Sequence, residues 1–261
     1  MSSEGGAPGA SRLAGRTALV TGATKGIGLG IARAFRREGA RLVVNSRSAD
    51  DCAALARELG AGVIGIAADL TRGDDVRRLA REAEGALGGA VDVLVNNAGK
   101  TIVAPTETLA EADYRYGLEL NLNSIFLLTQ ALVGGMLTRE RGVVIHVSSI
   151  TGRMPFPQRL AYCVSKAGLD MMTRVMAIEW AARGVRVNAI APGYVETEMI
   201  RDLSDAGVLD TERLARRTPM GRLGTPAEVA EVAVFLASDA AAYVTGEIVT
   251  VDGGWAAYGF V

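Results

Sequence analysis

Histidine is almost missing from this 261-residue chain, where His146 stands alone. A Ser-His-Asp triad or a His-based zinc site would have to rest on that one residue, so the sequence argues against both. A lone histidine inside an apolar run reads as packing. Cysteine is nearly as scarce: Cys52 and Cys163 are isolated, without CxxC spacing, and read as two reduced thiols rather than a disulfide framework or metal cluster. No charge sign dominates. With 28 basic and 29 acidic residues interspersed, the net charge of −1 leaves no electrostatic footprint for nucleic acid or an anionic membrane. No uninterrupted apolar run approaches the roughly 18 residues that a membrane span needs. The opening stretch MSSEGGAPGASR has neither a basic n-region nor an apolar h-region, so residues 1–12 read as an unstructured tail and a cytoplasmic location is expected.

What is present is an alternation. Short β-branched runs at 17–21, 41–45, 62–67, 91–96, 142–147, 185–190 and 247–251 are separated by longer helical patterns. Most of these runs are apolar throughout, as expected of strands covered on both faces. Helix starts are signalled by Ser48-x-x-Asp51, Thr71-x-x-Asp74, Thr108-x-x-Glu111 and Thr225-Pro226-x-Glu228. The pattern predicts a single α/β domain over 13–261, a Rossmann-type doubly wound fold with a seven-stranded parallel sheet. Ligands of such sheets bind beyond the carboxyl ends of the strands.

The first of those ends reads VTGATKGIG, with Gly22, Gly26 and Gly28 between a strand and a helix. Backbone without Cβ can turn sharply there, and free N–H groups at a helix N-terminus favour a pyrophosphate. With its T-G-x-x-x-G-I-G spacing the chain resembles the short-chain dehydrogenase/reductase family. The resemblance implies cofactor contacts from Gly22, Thr24, Lys25, Gly26, Ile27 and Gly28. At the end of the second strand an acid would select NAD through the ribose hydroxyls, but this chain has Ser46 and Arg47. Together with Lys25 they suit a 2′-phosphate, and NADP(H) is the expected cofactor. By resemblance Asp69 and Leu70 face the adenine.

Lysine is rare as well: 25 of the 28 basic residues are arginine, and Lys25, Lys100 and Lys166 are the exceptions. Lys166 follows Tyr162 by four residues in AYCVSK, on one face of a predicted helix. A nearby ammonium favours phenolate and would lower the tyrosine pKa toward neutrality. Ser149 and Ser148 both end the fifth strand, and either hydroxyl could bind a substrate oxygen; the thirteen-residue interval of the family selects Ser149. Asn121 and Asn123 compete in LELNLNSIF, where the family's pattern favours Asn121 as holder of a water that relays protons to Lys166.

Further resemblance covers NNAG, with Asn97, Ala98 and Gly99 against the cofactor, and PGYVET, with Pro192, Gly193, Val195 and Thr197 near the nicotinamide. The implied activity is hydride transfer between NADP(H) and a carbonyl or secondary alcohol. Catalysis would run through Asn121, Ser149, Tyr162 and Lys166, without a metal. A ketoreductase acting on a 3-oxoacyl thioester, a polyketide-like ketone or a keto-sugar is expected. The alternatives are an NAD-dependent sugar or alcohol dehydrogenase and a non-catalytic nucleotide sensor. A lid is expected over about 194–220, with 154–160 as another wall. Arg153 and Arg159 could meet an acidic substrate or face solvent. Arg183 sits where carrier-protein-binding reductases often place a docking arginine, but Glu140 interrupts the basic patch between Arg139 and Arg141. The apolar tail WAAYGFV is expected at a subunit interface of a homodimer or homotetramer, or else packed on its own subunit.

Overall fold

Consecutive residues of the central strands point into different helical layers, and both layers are apolar. Val20, Val44, Val95 and Ile145 pack on one side, while Leu19, Val43, Leu94 and Val144 pack on the other. That two-sided burial is why the strands β1 (Thr17–Thr21), β2 (Arg41–Ser46), β4 (Val93–Asn96), β5 (Gly142–Val147) and β6 (Val185–Pro192) show no polar alternation. The flanking strands β3 (Val63–Ala67) and β7 (Ile248–Val251) are only partly covered. All pairings are parallel, in the order β3-β2-β1-β4-β5-β6-β7. This computed structural model describes residues 11–207 and 209–259.

The helices are α1 (Gly26–Arg37), α2 (Ala49–Leu59), α3 (Gly73–Leu87), α4 (Glu111–Leu118), α5 (Ser124–Thr138), α6 (Leu160–Trp180), α7 (Glu198–Asp205), α8 (Thr211–Arg217) and α9 (Pro226–Ala237). Ile31 and Phe35 of α1 and Val229 and Val234 of α9 cover the first face. Leu79 and Leu87 of α3, Leu132 and Met136 of α5 and Met176 of α6 cover the second. Contrary to the expectation that no apolar run approaches a span, the helical stretch Glu111–Thr138 is long and apolar enough to cross a bilayer by length and composition alone. Leu128, Leu132 and Met136 of this stretch pack in the second core, while Phe126 is exposed.

Two expected helix starts are correct and two are not. Ser48 Oγ accepts from the Asp51 N–H at 3.1 Å, and Thr225 with Glu228 closes a full capping box. Thr71 instead gives its N–H and hydroxyl to the Asp69 carboxylate at 3.0 and 2.8 Å, so α3 begins behind an uncapped Arg72. Thr108 ends a short 3-10 turn, and α4 starts behind Ala110. Local side-chain bonding won over the helix cap at Thr71.

Residues 1–10 of the expected tail lie outside the described residues. Arg12 does not behave as tail: its guanidinium bonds Glu38 and Glu231, each at 2.7 Å. Strand order reverses between β1 and β4, and the crevice beyond their carboxyl ends is where the site opens.

Candidate active site

A cleft of about 760 Å³ runs from the glycine turn after β1 to the C-terminal end of β5. The turn takes its shape from two glycines in the left-handed region, Gly22 at φ +60° and Gly26 at φ +56°. Gly28 lies behind the cleft wall. A Cβ there would sit 2.2 Å from the Gly22 carbonyl oxygen and 2.4 Å from Asn97 Nδ2. Asn97 laces the neighbouring loop to this turn, donating to the Thr21 and Gly22 carbonyls at 2.9 and 3.0 Å.

The N-terminus of α1 differs from those of α2 and α9. It has no side-chain cap and no acid in its first turn, so its N–H groups and dipole are free for an anion at the cleft. Thr24, Lys25, Gly26 and Ile27 line this end, with Ser46 and Arg47 opposite. Ser46 is held from behind by the buried Cys52, whose sulfur lies 3.1 Å from its N–H and 3.2 Å from its hydroxyl. Leu70 lines the cleft, whereas the Asp69 carboxylate is turned into its own loop toward Thr71. Asp51, expected only as part of the Ser48 helix start, also lines this end.

At the other end α6 presents Tyr162 and Lys166 on one face. Lys166 Nζ lies 5.5 Å from the Tyr162 ring centroid and donates to the Val147 carbonyl at 2.7 Å. Ser149 follows β5 in extended backbone and accepts from the Thr151 N–H at 3.2 Å. Ser149, Thr101 and Tyr162 line the same cleft. Ser148 also lines the cleft, but its hydroxyl donates to Asp170 Oδ1 at 2.5 Å. Alternation along the strand end thus separates the two serines.

The charges depart from expectation. Burial pushes the Tyr162 phenol up, against a smaller downward pull from Ser149 and Thr101. Burial also lowers Lys166 to about 8, with Asp170 opposing it. An ammonium that is itself desolvated and committed to a carbonyl does not overcome the burial of the phenol. His146 is buried and driven down to about 3, with Nδ1 3.2 Å from Asn96 Nδ2. It does not line the cleft.

Asn121 lies in a π-helical turn, Glu119–Asn123, between α4 and α5. Its amide grips the Lys100 main chain in both directions, accepting from the N–H and donating to the carbonyl at 2.9 Å each. It is buried behind Gly99, at which an added Cβ would lie 2.9 Å from Asn121 Oδ1 and 3.8 Å from Lys166 Nζ. Asn123 instead bonds Glu119 on the surface. Lys100 lines the cleft, with Nζ 5.9 Å from the Tyr116 ring centroid.

The third wall comes from β6 onward. Pro192, Gly193, Tyr194, Val195 and Thr197 line the cleft, as do Met199, Ile200 and Leu203 of α7. The Thr197 hydroxyl caps α7 by accepting from the Ile200 N–H at 3.4 Å. Tyr194 packs edge-on between Phe156 at 6.3 Å and Trp255 at 4.9 Å. Trp255 and Tyr258 in turn sandwich the Arg217 guanidinium, at 4.7 and 5.0 Å from their centroids. Trp255 is thereby buried against its own chain, whereas Ala256, Ala257, Tyr258 and Gly259 are exposed; Phe260 and Val261 lie outside the described residues. Arg159 lines the cleft, but Arg153 turns back to the Ile248 carbonyl and toward Asp170. Thr101, Tyr116 and Thr151 carried no recognisable signal in the sequence, and Trp255 was legible only as part of the apolar tail.

A family model described as Enoyl-(Acyl carrier protein) reductase matches residues 22–256. The chain is 42% identical to galactitol 2-dehydrogenase (L-tagatose-forming) of Cereibacter sphaeroides, over 94% of this chain and 96% of that protein. It is 40% identical to a 3-oxoacyl-acyl-carrier-protein reductase of Vibrio cholerae, over 93% and 98% respectively. Among solved structures, a gluconate 5-dehydrogenase from Burkholderia cenocepacia in complex with NADP and tartrate is similar at a TM-score of 0.89 and 36% identity, covering 95% of this chain and 98% of that one.

Proposed function

Because the chain belongs to the short-chain dehydrogenase/reductase family, we propose that it is a cytoplasmic NADP(H)-dependent ketoreductase acting on a small, free, polar substrate such as a keto-sugar. The coarser statement, an oxidoreductase of alcohol and ketone groups, follows from its relatives. One observation carries the finer reading: the uncapped N-terminus of α1 and the Ser149, Tyr162 and Lys166 group open into the same cleft.

The residues present fit a dinucleotide. Gly22 and Gly26 form the turn, the α1 N-terminus would hold the pyrophosphate, and Lys25 with Arg47 would hold a 2′-phosphate. When bound, a nicotinamide cofactor supplies or accepts the hydride. Ser149 would bind the substrate oxygen, and Tyr162 would give it a proton. A phenol raised above its usual range is protonated at neutral pH, the state that donates. Lys166 would hold positive charge beside the alkoxide and the phenol. Asn121 would support Lys166 through the Lys100 loop.

Relatives named for galactitol and D-threitol support a polyol or keto-sugar. A carrier-bound acyl chain is less well supported, because Arg139 is committed to Asp92 at 3.1 Å and the Val91 carbonyl. A second copy of the chain would cover the apolar stripe of Val164, Met171, Val175 and the 79% exposed Ile178 on α6, giving a homodimer or homotetramer. Assaying keto-sugars, simple ketones and 3-oxoacyl thioesters with NADPH and NADH tests the reading. The expected result is NADPH-linked turnover of a keto-sugar that falls at least 100-fold in Tyr162→Phe. Full activity in that variant would refute the assigned chemistry.

A further inference from the structure

Behind the cleft a carboxylate is buried where an apolar residue would cost less. Asp170 stands one helical turn beyond Lys166 on α6 and is 3% exposed. Taking a carboxylate out of water is expensive unless its environment repays the loss. Here the repayment is partial. Oδ1 accepts from Ser148 at 2.5 Å, while Oδ2 has no hydrogen-bond partner among the described residues and lies 3.7 Å from Arg153 Nε. The site is also tight: a Cβ on Gly152 would sit 3.0 Å from Oδ2 and 3.0 Å from the Lys166 carbonyl oxygen.

The bond from Ser148 has a mechanical consequence. Ser148 is 2% exposed and immediately precedes Ser149. Anchoring it to Asp170 ties the end of β5, which carries Ser149, to the helix that carries Tyr162 and Lys166. The charge has a second consequence. Lys166, Arg153 and Arg174 are the cations facing Asp170, and of these Lys166 is the buried one. The carboxylate, which burial pushes up and Ser148 and the cations hold down, opposes the desolvation that lowers Lys166.

We propose that Ser148 and Asp170 are a buried positioning pair: their hydrogen bond fixes Ser149 against Tyr162, and the carboxylate keeps Lys166 charged for proton transfer. This rests on the reading of the site given above. Neither residue touches the reacting atoms, so the test needs readouts that a purely structural role would leave unmoved. Ser148→Ala removes the bond and keeps the charge. Asp170→Asn keeps an oxygen that can accept from Ser148 and removes the charge.

Steady-state kinetics across pH on the best ketone, with NADPH affinity read by fluorescence and Tm by calorimetry, separates the two. Ser148→Ala is expected to lower kcat about tenfold at unchanged NADPH affinity, with the pH profile in place, since a fractional-ångström displacement of a catalytic group costs that much. Asp170→Asn is expected to move the basic limb of kcat to lower pH by roughly one unit, because Lys166 then loses its proton sooner. Ser148→Thr, which keeps the hydroxyl, should restore most of the rate and stands in should the alanine variant not fold. Wild-type kcat in Ser148→Ala, or an unmoved basic limb in Asp170→Asn, overturns the pair even if Tm falls. Tyr162→Phe run alongside keeps the cases apart: loss of activity there with silent Ser148 and Asp170 variants refutes only the pair, and retained activity refutes the site itself.

Discussion

Replacing Lys166 by methionine gives a stability prediction whose sign can be worked from the structure. The ammonium is 2% exposed, and burial lowers it from 10.5 to about 8. At about 1.4 kcal/mol per pH unit, that gap makes the charged lysine cost the folded, cofactor-free protein about 3 kcal/mol at neutral pH. Below pH 8 both folded and unfolded chains hold the proton, and the cost stands in full. Between pH 8 and 10.5 the folded chain releases it first, so the cost fades as pH rises. Wild type should therefore gain on Lys166→Met by about 2 kcal/mol between pH 7 and about 9.5, or roughly 5 °C in Tm for a chain of this size. The lost bond to the Val147 carbonyl shifts the two curves by a constant and leaves the slope alone. Tyr162, whose phenol burial pushes up, is present in both proteins. Differential scanning calorimetry of both proteins across pH reads the difference directly. Parallel Tm curves would refute the claim that Lys166 bears a desolvation cost.

Gly28→Ala pushes a methyl into the Gly22 carbonyl and Asn97 Nδ2, so about 2–4 kcal/mol should be lost in urea denaturation, with a matching fall in cofactor affinity. Arg47→Asp should raise the KM for NADPH about 10- to 100-fold and leave NADH nearly unchanged, as judged by initial rates; an unaltered preference would overturn the 2′-phosphate assignment. Arg217→Ala removes the cation held between Trp255 and Tyr258, each contact being worth about 1 kcal/mol. Hydrogen exchange over 198–217 should then quicken and the substrate KM rise several-fold; unchanged exchange would mean that the tail does not restrain α7 and α8.

Strands were legible wherever burial on both faces dictated composition, and β1 and β5 begin and end where their apolar runs do. The Thr225 capping box was equally legible, because its bonds span only three residues. Thr71 misled because the competing acceptor, Asp69, lies just as near in sequence, and local pattern cannot rank two acceptors. Asn121 was visible as an oddity in a helix, but neither the π turn nor its grip on Lys100, twenty-one residues away, has any local signature. Arg153 is exposed, as one of its two expected readings had it, but its anchoring to partners on β7 and α6 has no local signature for the same reason.

By itself the chain's order of residues determined which groups could meet: glycines at a strand–helix turn, Tyr162 and Lys166 one helical turn apart, and strands apolar enough to lie inside. These follow from short-range geometry and from hydrophobic period. Only the tertiary structure decided the electrical state of the site and the company it keeps. Whether a phenol rises or falls depends on how much water the fold removes and which charges it brings within reach. Here burial outweighs the lysine, Asp170 reaches Ser148 from the next turn of α6, and the tail closes on Arg217. Desolvation and long-range contact are properties of the packed molecule, not of any segment of it.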